Sequence, residues 1–169
     1  MDTARRVMPG TDRSRLLALI DRLKGRRIVV AGDLIADEFI YGQIARVSRE
    51  APVLILNYDS TEIVPGGAGN AAANAAALGG TVRAIGLAGR DDTGRRLLDT
   101  LERRRVDVTG VARPASYRTP TKTRILAGGI HSAKQQVVRI DRAAAAAADD
   151  AARVAFNRRV LRAVKSADA

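Results

Sequence analysis

Cysteine is absent from the 169-residue sequence, which removes disulfides, thiolate metal sites and thiol nucleophiles from consideration. Aromatic residues make up only 3% of the chain, so platforms for stacking nucleic-acid bases are scarce. No apolar run reaches the length of a membrane span, and residues 1–10 lack the apolar stretch of a signal peptide. No membrane partner is expected, and a cytoplasmic location is. The single histidine, His131, has no second histidine or cysteine nearby in sequence and reads as a turn residue, so no metal site is expected. No G-x-x-x-x-G-K-[ST] phosphate loop occurs. What the chain has in excess is positive charge, a formal +11. Its basic residues are nearly all arginine and are scattered through an alanine-rich sequence, which points to composition bias rather than a nucleic-acid partner. With 46% hydrophobic and 28% charged residues, the chain has the balance of one globular domain with a real core.

Residues 1–26 form a tail and helix ahead of the domain proper, 27–169. Residues 1–12 carry no apolar pattern and are expected to be disordered. Over 13–24, Leu16, Leu17, Leu19, Ile20 and Leu23 fall at amphipathic helical spacing, and Gly25 ends the run. Residues 27–31 are a β-branched apolar run closed by Gly32, the pattern of a buried strand. Segments 39–43 and 53–59 are strand-like on either side of a polar stretch, 45–52. Together with 62–64 they read as a hairpin excursion over about 38–64. Another buried strand follows at 81–87. Asp92 or Thr93 can cap a helix over 94–105 whose Leu97, Leu98 and Leu101 share a face. Strands at 121–127 and 135–140 flank the turn Gly128-Gly129-Ile130-His131. A low-complexity run, 143–148, precedes a last helix from Asp149 or Asp150 to about 165. Strands alternating with helices indicate an α/β sheet.

Three places carry candidate chemistry. In Val64-Pro65-Gly66-Gly67-Ala68-Gly69-Asn70 the glycines open an alanine-rich helix, where free N–H groups favour an oxygen-rich ligand. Asn70 and Asn74 lie one helical turn apart. A tight turn before a closely packed helix is the plain alternative. Gly67-x-Gly69-x-x-Ala72, with Asp91 and Asp92 about twenty residues on, also fits a dinucleotide fingerprint. That reading is disfavoured because residues 61–65 are short, polar and interrupted by Pro65, unlike a buried strand. Asp33 follows a buried strand, at the sheet edge that faces ligands in open α/β folds, where a carboxylate can accept from two sugar hydroxyls. A helix-capping aspartate is the alternative there. Lys122 and Arg124 alternate onto one strand face and suit a phosphate monoester, with solvated surface charge as the alternative.

Joined in order, these blocks resemble the N-terminal half of the ribokinase-like (PfkB) carbohydrate kinases. The resemblance runs from about Arg27 to Asp141. It includes the strand into Gly32-Asp33, the excursion from Tyr41-Gly42 through Arg46-Val47-Ser48-Arg49-Glu50-Ala51-Pro52-Val53, and Gly66-Gly67-Ala68-Gly69-Asn70. It continues through Gly86-Leu87-Ala88-Gly89-Arg90-Asp91-Asp92-Thr93-Gly94 to Arg105-Val106-Asp107. The wording Ser48-x-Glu50-Ala51-Pro52-Val53, Thr121-Lys122-Thr123-Arg124 and Gln135-Gln136-x-x-Arg139-Ile140-Asp141 looks most like kinases of D-glycero-β-D-manno-heptose 7-phosphate, in ADP-heptose synthesis. The resemblance implies an incomplete doubly wound α/β sheet with a small β lid. It implies ATP and Mg2+ as cofactors and phosphorylation of a sugar phosphate at the anomeric hydroxyl. It assigns Asp33 and Asn70 to sugar hydroxyls and lets the backbone approach at Gly66 and Gly67. Lys122 and Arg124 would hold the substrate's phosphate, with Gln136 and Arg139 as lesser candidates. The lid strands would form a homodimer. The family's catalytic Asp-Thr-x-Gly-Ala-Gly-Asp motif does not occur, so no catalytic residue is assigned, and the chain is expected to lack the catalytic and nucleotide-binding half. A non-catalytic sugar-phosphate-binding or regulatory module is the second reading.

Overall fold

The computed structural model describes residues 12–129, 133–143 and 150–169. The expectations for residues 1–11, for His131 and for 144–148 fall outside the described residues. Along the chain the elements are α1 (Arg13–Leu23), β1 (Arg27–Ala31), β2 (Leu34–Val47), β3 (Leu54–Gly67), α2 (Ala68–Ala77), β4 (Thr81–Ile85), α3 (Asp92–Arg103), β5 (Val106–Asp107), β6 (Thr121–Gly128), β7 (Gln135–Arg142) and α4 (Asp150–Val164). α1 is capped by Asp12, whose carboxylate accepts from the Ser14 N–H at 3.0 Å. Its apolar stripe exists, yet no residue of α1 is buried.

β1, β4 and β5 form a parallel sheet in the order β1-β4-β5, with β1 and β4 in register from Arg27 opposite Thr81 to Ala31 opposite Ile85. Period-two alternation along β4 divides its side chains between two layers. Val82 and Ala84 join Ala72 and Ala73 of α2 and Leu97, Leu98 and Leu101 of α3 in the main core. Ile85 points to the opposite side, where it and the buried Ala163 of α4 line one pocket. Helices on both faces make this the start of a doubly wound sheet. On the other edge of β1, Ala169 pairs with Val29 and Arg27 through backbone bonds of 2.9 and 3.3 Å, the pattern of a parallel bridge. Asp168 accepts from the Arg27 N–H at 2.9 Å and from its guanidinium at 2.9 and 3.3 Å. These hydrogen bonds hold its carboxyl down at about 2.

The second sheet has the order β3-β2-β6-β7. β2 pairs antiparallel with β3 from Leu34 opposite Gly67 to Val47 opposite Leu54, and parallel with β6 from Ala36 opposite Thr121. The excursion expected over 38–64 is therefore only part of a four-stranded sheet, and its two strands are longer than 39–43 and 53–59. Residues 61–65 also differ from expectation, being the end of the 14-residue strand β3. Pro65 is tolerated because β3 is an edge strand. A strand thus does run into the glycines, but it is an antiparallel strand of the second sheet. The dinucleotide fingerprint requires a strand of the parallel sheet, and that topology disfavours it. The inner face of this sheet, with Ala36, Ile63, Thr121 and Thr123, is buried. The other face carries Asp37, Phe39, Tyr41, Lys122 and Arg124 and is partly open.

Candidate functional site

The site begins where β1 ends. Gly32 and Asp33 lead straight into β2, and β3 returns antiparallel so that Gly66 and Gly67 stand opposite Ile35 and Leu34. Gly67 has φ +56° and ψ −132° and precedes α2 with no side-chain cap. A Cβ there would lie 2.5 Å from the Asp33 carbonyl oxygen. That carbonyl accepts from the Ala68 N–H at 2.9 Å. The strand end bearing Asp33 and the first turn of α2 are thereby locked together by backbone contact that only glycine permits. Asp33 and Asn70 are both exposed at this corner. Asn74 Nδ2 donates to Asn70 Oδ1 at 3.4 Å, leaving the Asn70 amide N–H groups available to a ligand.

The corner continues onto the open face of the second sheet. A Cβ on Gly66 would come within 2.5 Å of Asp37 Oδ2, so the Asp37 carboxylate lies over Gly66. Arg124 Nη1 donates to Asp37 Oδ1 at 2.5 Å, and both side chains are 23% exposed. The same guanidinium sits 5.3 Å from the centroid of the Phe39 ring, which stacks with Tyr41. Cross-strand register sets Lys122 between Asp37 and Asp141, and Arg124 between Phe39 and Arg139. Arg139 grips Asp141 with a fork of 2.7 and 2.6 Å. That hydrogen bonding, then the charges of Arg139, Lys122 and Arg124, hold the Asp141 carboxyl below its usual range. Gln136, opposite Leu126 beyond a bulge, is exposed on this same face.

Alternation therefore does bring Lys122, Arg124, Gln136 and Arg139 together. It does not reveal that Arg124 and Arg139 are already paired with carboxylates. Among the described residues Lys122 makes no ion pair. Asp37 is the residue that sequence reasoning missed. The available signal was Gly32-Asp33-x-x-x-Asp37, since carboxylates four apart on an extended chain share a face.

The block from Gly86 to Gly94 braces this corner. α3 begins at Asp92 rather than Gly94, and its cap is Asp91 rather than Asp92 or Thr93. Asp91 accepts from Gly94 N–H at 2.7 Å and from Thr119 N–H at 2.9 Å. Burial opposes the charge, but these donors outweigh it and leave the carboxyl below its usual range. The Thr119 hydroxyl in turn accepts from Gly89 N–H at 2.9 Å. Among the described residues no cluster of three histidine, aspartate or glutamate side chains could hold a metal ion, and no described helix is long and apolar enough to cross a membrane.

Comparison with known proteins supports this architecture. The profile of the pfkB family carbohydrate kinases matches residues 27–168. The bifunctional protein HldE of Gluconobacter oxydans is 44% identical over 124 residues, covering 73% of this chain and 25% of that protein. Its counterpart in Azorhizobium caulinodans is 42% identical over 130 residues, covering 76% of this chain and 26% of that protein. The chain spans about a quarter of the length of these curated relatives. A carbohydrate kinase structure from Agrobacterium tumefaciens superposes with a TM-score of 0.53 at 26% identity, over 69% of this chain and 35% of that one. Arabidopsis thaliana ribokinase complexed with ribose and ATP gives 0.52 at 18% identity, over 72% and 37%, a likeness of fold alone. The chain has a ribokinase-like α/β fold and belongs to the pfkB family of carbohydrate kinases.

Proposed function

We propose that this chain supplies the sugar-binding side of a kinase that phosphorylates D-glycero-β-D-manno-heptose 7-phosphate at its anomeric hydroxyl, with ATP as donor in the cytoplasm. The observation that carries the reading is the continuity of the glycine corner with a basic sheet face. Asp33 and Asn70 open at one end, and Lys122 and Arg124 stand beside Asp37 at the other. Carboxylates accept from sugar hydroxyls, while the Asn70 amide and the free N–H groups of the first turn of α2 donate to them. The substrate's phosphate meets Lys122 and the donors of Arg124 that Asp37 leaves free, since a guanidinium has five N–H groups. Gln136 and Arg139 border the same face. The second sheet then acts as a lid, and its exposed Ile44, Val47, Leu54 and Tyr58, with Val53 in the turn between β2 and β3, are the surface for a homodimer.

Among the described residues no group of three metal-ligating side chains is gathered, and no step of phosphoryl transfer is derived from them. The second reading, a sugar-phosphate-binding module, needs the same sugar contacts and no phosphoryl transfer. Calorimetric titration of heptose 7-phosphate into the chain tests the binding they share. Asp33→Ala is expected to weaken binding by about ten- to a hundredfold, from a lost charged hydrogen bond of roughly 1.5–3 kcal/mol. A wild-type chain that takes up no heptose 7-phosphate refutes the proposal. Sugar-dependent ATP consumption by the chain would exclude the binding-module reading.

A further inference from the structure

The loop between β5 and β6 carries one aromatic residue, Tyr117, and its backbone is fixed from two sides. The Tyr117 N–H donates to the Pro114 carbonyl at 3.3 Å. Two residues on, Thr119 is bonded to both Asp91 and Gly89. The Tyr117 carbonyl packs so closely on Gly89 that a Cβ there would come within 2.7 Å of it. Gly89 lies just past the end of β4, the neighbour of β1. At that end the Gly32 N–H donates to the Ile85 carbonyl at 3.0 Å, and a Cβ on Gly86 would stand 2.7 Å from the Gly32 carbonyl. The loop therefore sets Tyr117 on the carboxyl edge of the parallel sheet, next to the strand end that delivers Asp33. Tyr117 is half-buried. Among the described residues its hydroxyl makes no hydrogen bond, and it is not sealed from solvent. Burial, then the charge of Asp33, push the phenol above its ordinary range, which keeps the O–H a donor.

We propose that Tyr117 is a specificity-determining residue of the sugar site, its O–H donating to the ligand hydroxyl whose own hydrogen goes to Asp33. One hydroxyl can donate and accept at once, and a ligand without a hydroxyl at that point leaves both protein groups unpaired. The inference rests on the sugar-phosphate reading above. The test is calorimetric titration of heptose 7-phosphate into the full chain as wild type, Tyr117→Phe, Asp33→Asn and the double variant. Phenylalanine keeps the ring and removes only the donor, so binding weakens about three- to tenfold while the unfolding midpoint stays put. Because both groups share one hydroxyl, the double variant binds more tightly than the product of the two single losses predicts. Unchanged affinity in Tyr117→Phe, or losses that simply multiply, overturns the role of Tyr117 and leaves the sugar-phosphate reading standing. A wild-type chain that does not bind the probe overturns that reading and this inference with it.

Discussion

Replacing Gly67 by alanine tests whether backbone contact holds the corner together. At φ +56° and ψ −132° an L-residue is outside its allowed wells, at a cost of roughly 1–3 kcal/mol. Crowding adds to this, because the new Cβ would stand 2.5 Å from the Asp33 carbonyl oxygen. That oxygen cannot withdraw without stretching its 2.9 Å bond from the Ala68 N–H, worth roughly 1 kcal/mol. The sum is about 2–4 kcal/mol, a large part of a typical stability of roughly 5–15 kcal/mol. Gly25 separates conformation from crowding, since it has φ +70° but nothing within 4 Å of an added Cβ. Gly25→Ala should therefore cost only about 1 kcal/mol. Urea unfolding followed by circular dichroism compares the two, and Gly67→Ala should have clearly the lower midpoint. Equal midpoints would show that the contact between Gly67 and Asp33 holds nothing, and the argument for a locked corner would fail.

Replacing both Lys122 and Arg124 by methionine should erase the preference for heptose 7-phosphate over unphosphorylated heptose in calorimetry, and equal losses for both ligands would return these charges to a structural role. Asp168 titrates at about 2 in the folded chain, against roughly 3.9 when unfolded. Its stabilisation is thus complete above about pH 4 and is lost as pH falls through 2, so Asp168→Asn should flatten the fall in unfolding midpoint across that window. The 169-residue chain should show no sugar-dependent ATP consumption in a coupled assay and should self-associate in light scattering through the exposed apolar residues of its second sheet. A monodisperse monomer with steady turnover would contradict both expectations.

The parallel sheet was legible because each main strand is an apolar, β-branched run bounded by glycine, and 27–31 matches β1 residue for residue, although β1 is only half-buried at its centre and exposed at both ends rather than buried as expected. β5 was not legible, being two residues long. The second sheet was readable only in its middle. Its ends hold Pro65, Gly66 and Gly67, residues that disfavour strands, and they are extended because β2 and β3 pair along their whole length. The periodicity of α1 could be read, but not that its stripe stays exposed, since a pattern within one helix says nothing of what lies opposite.

The same limit applies to the site. Alternation within β6 was enough to put Lys122 and Arg124 on one face, but their partners come from β2 and β7, whose register depends on pairing across more than eighty residues of sequence in one case. That pairing changes the chemistry. Of the three cations Lys122, Arg124 and Arg139, two face carboxylates that already balance them, leaving a net charge of +1 on the patch. A free cluster of cations would attract any anion. On the proposed reading, a patch so nearly neutralised gains most from a phosphate fixed in place by its sugar, whose hydroxyls would engage Asp33 and Asn70 and relieve none of the charge. Discrimination then comes from both ends of the ligand at once, and inorganic phosphate alone should compete poorly with a sugar phosphate for the site.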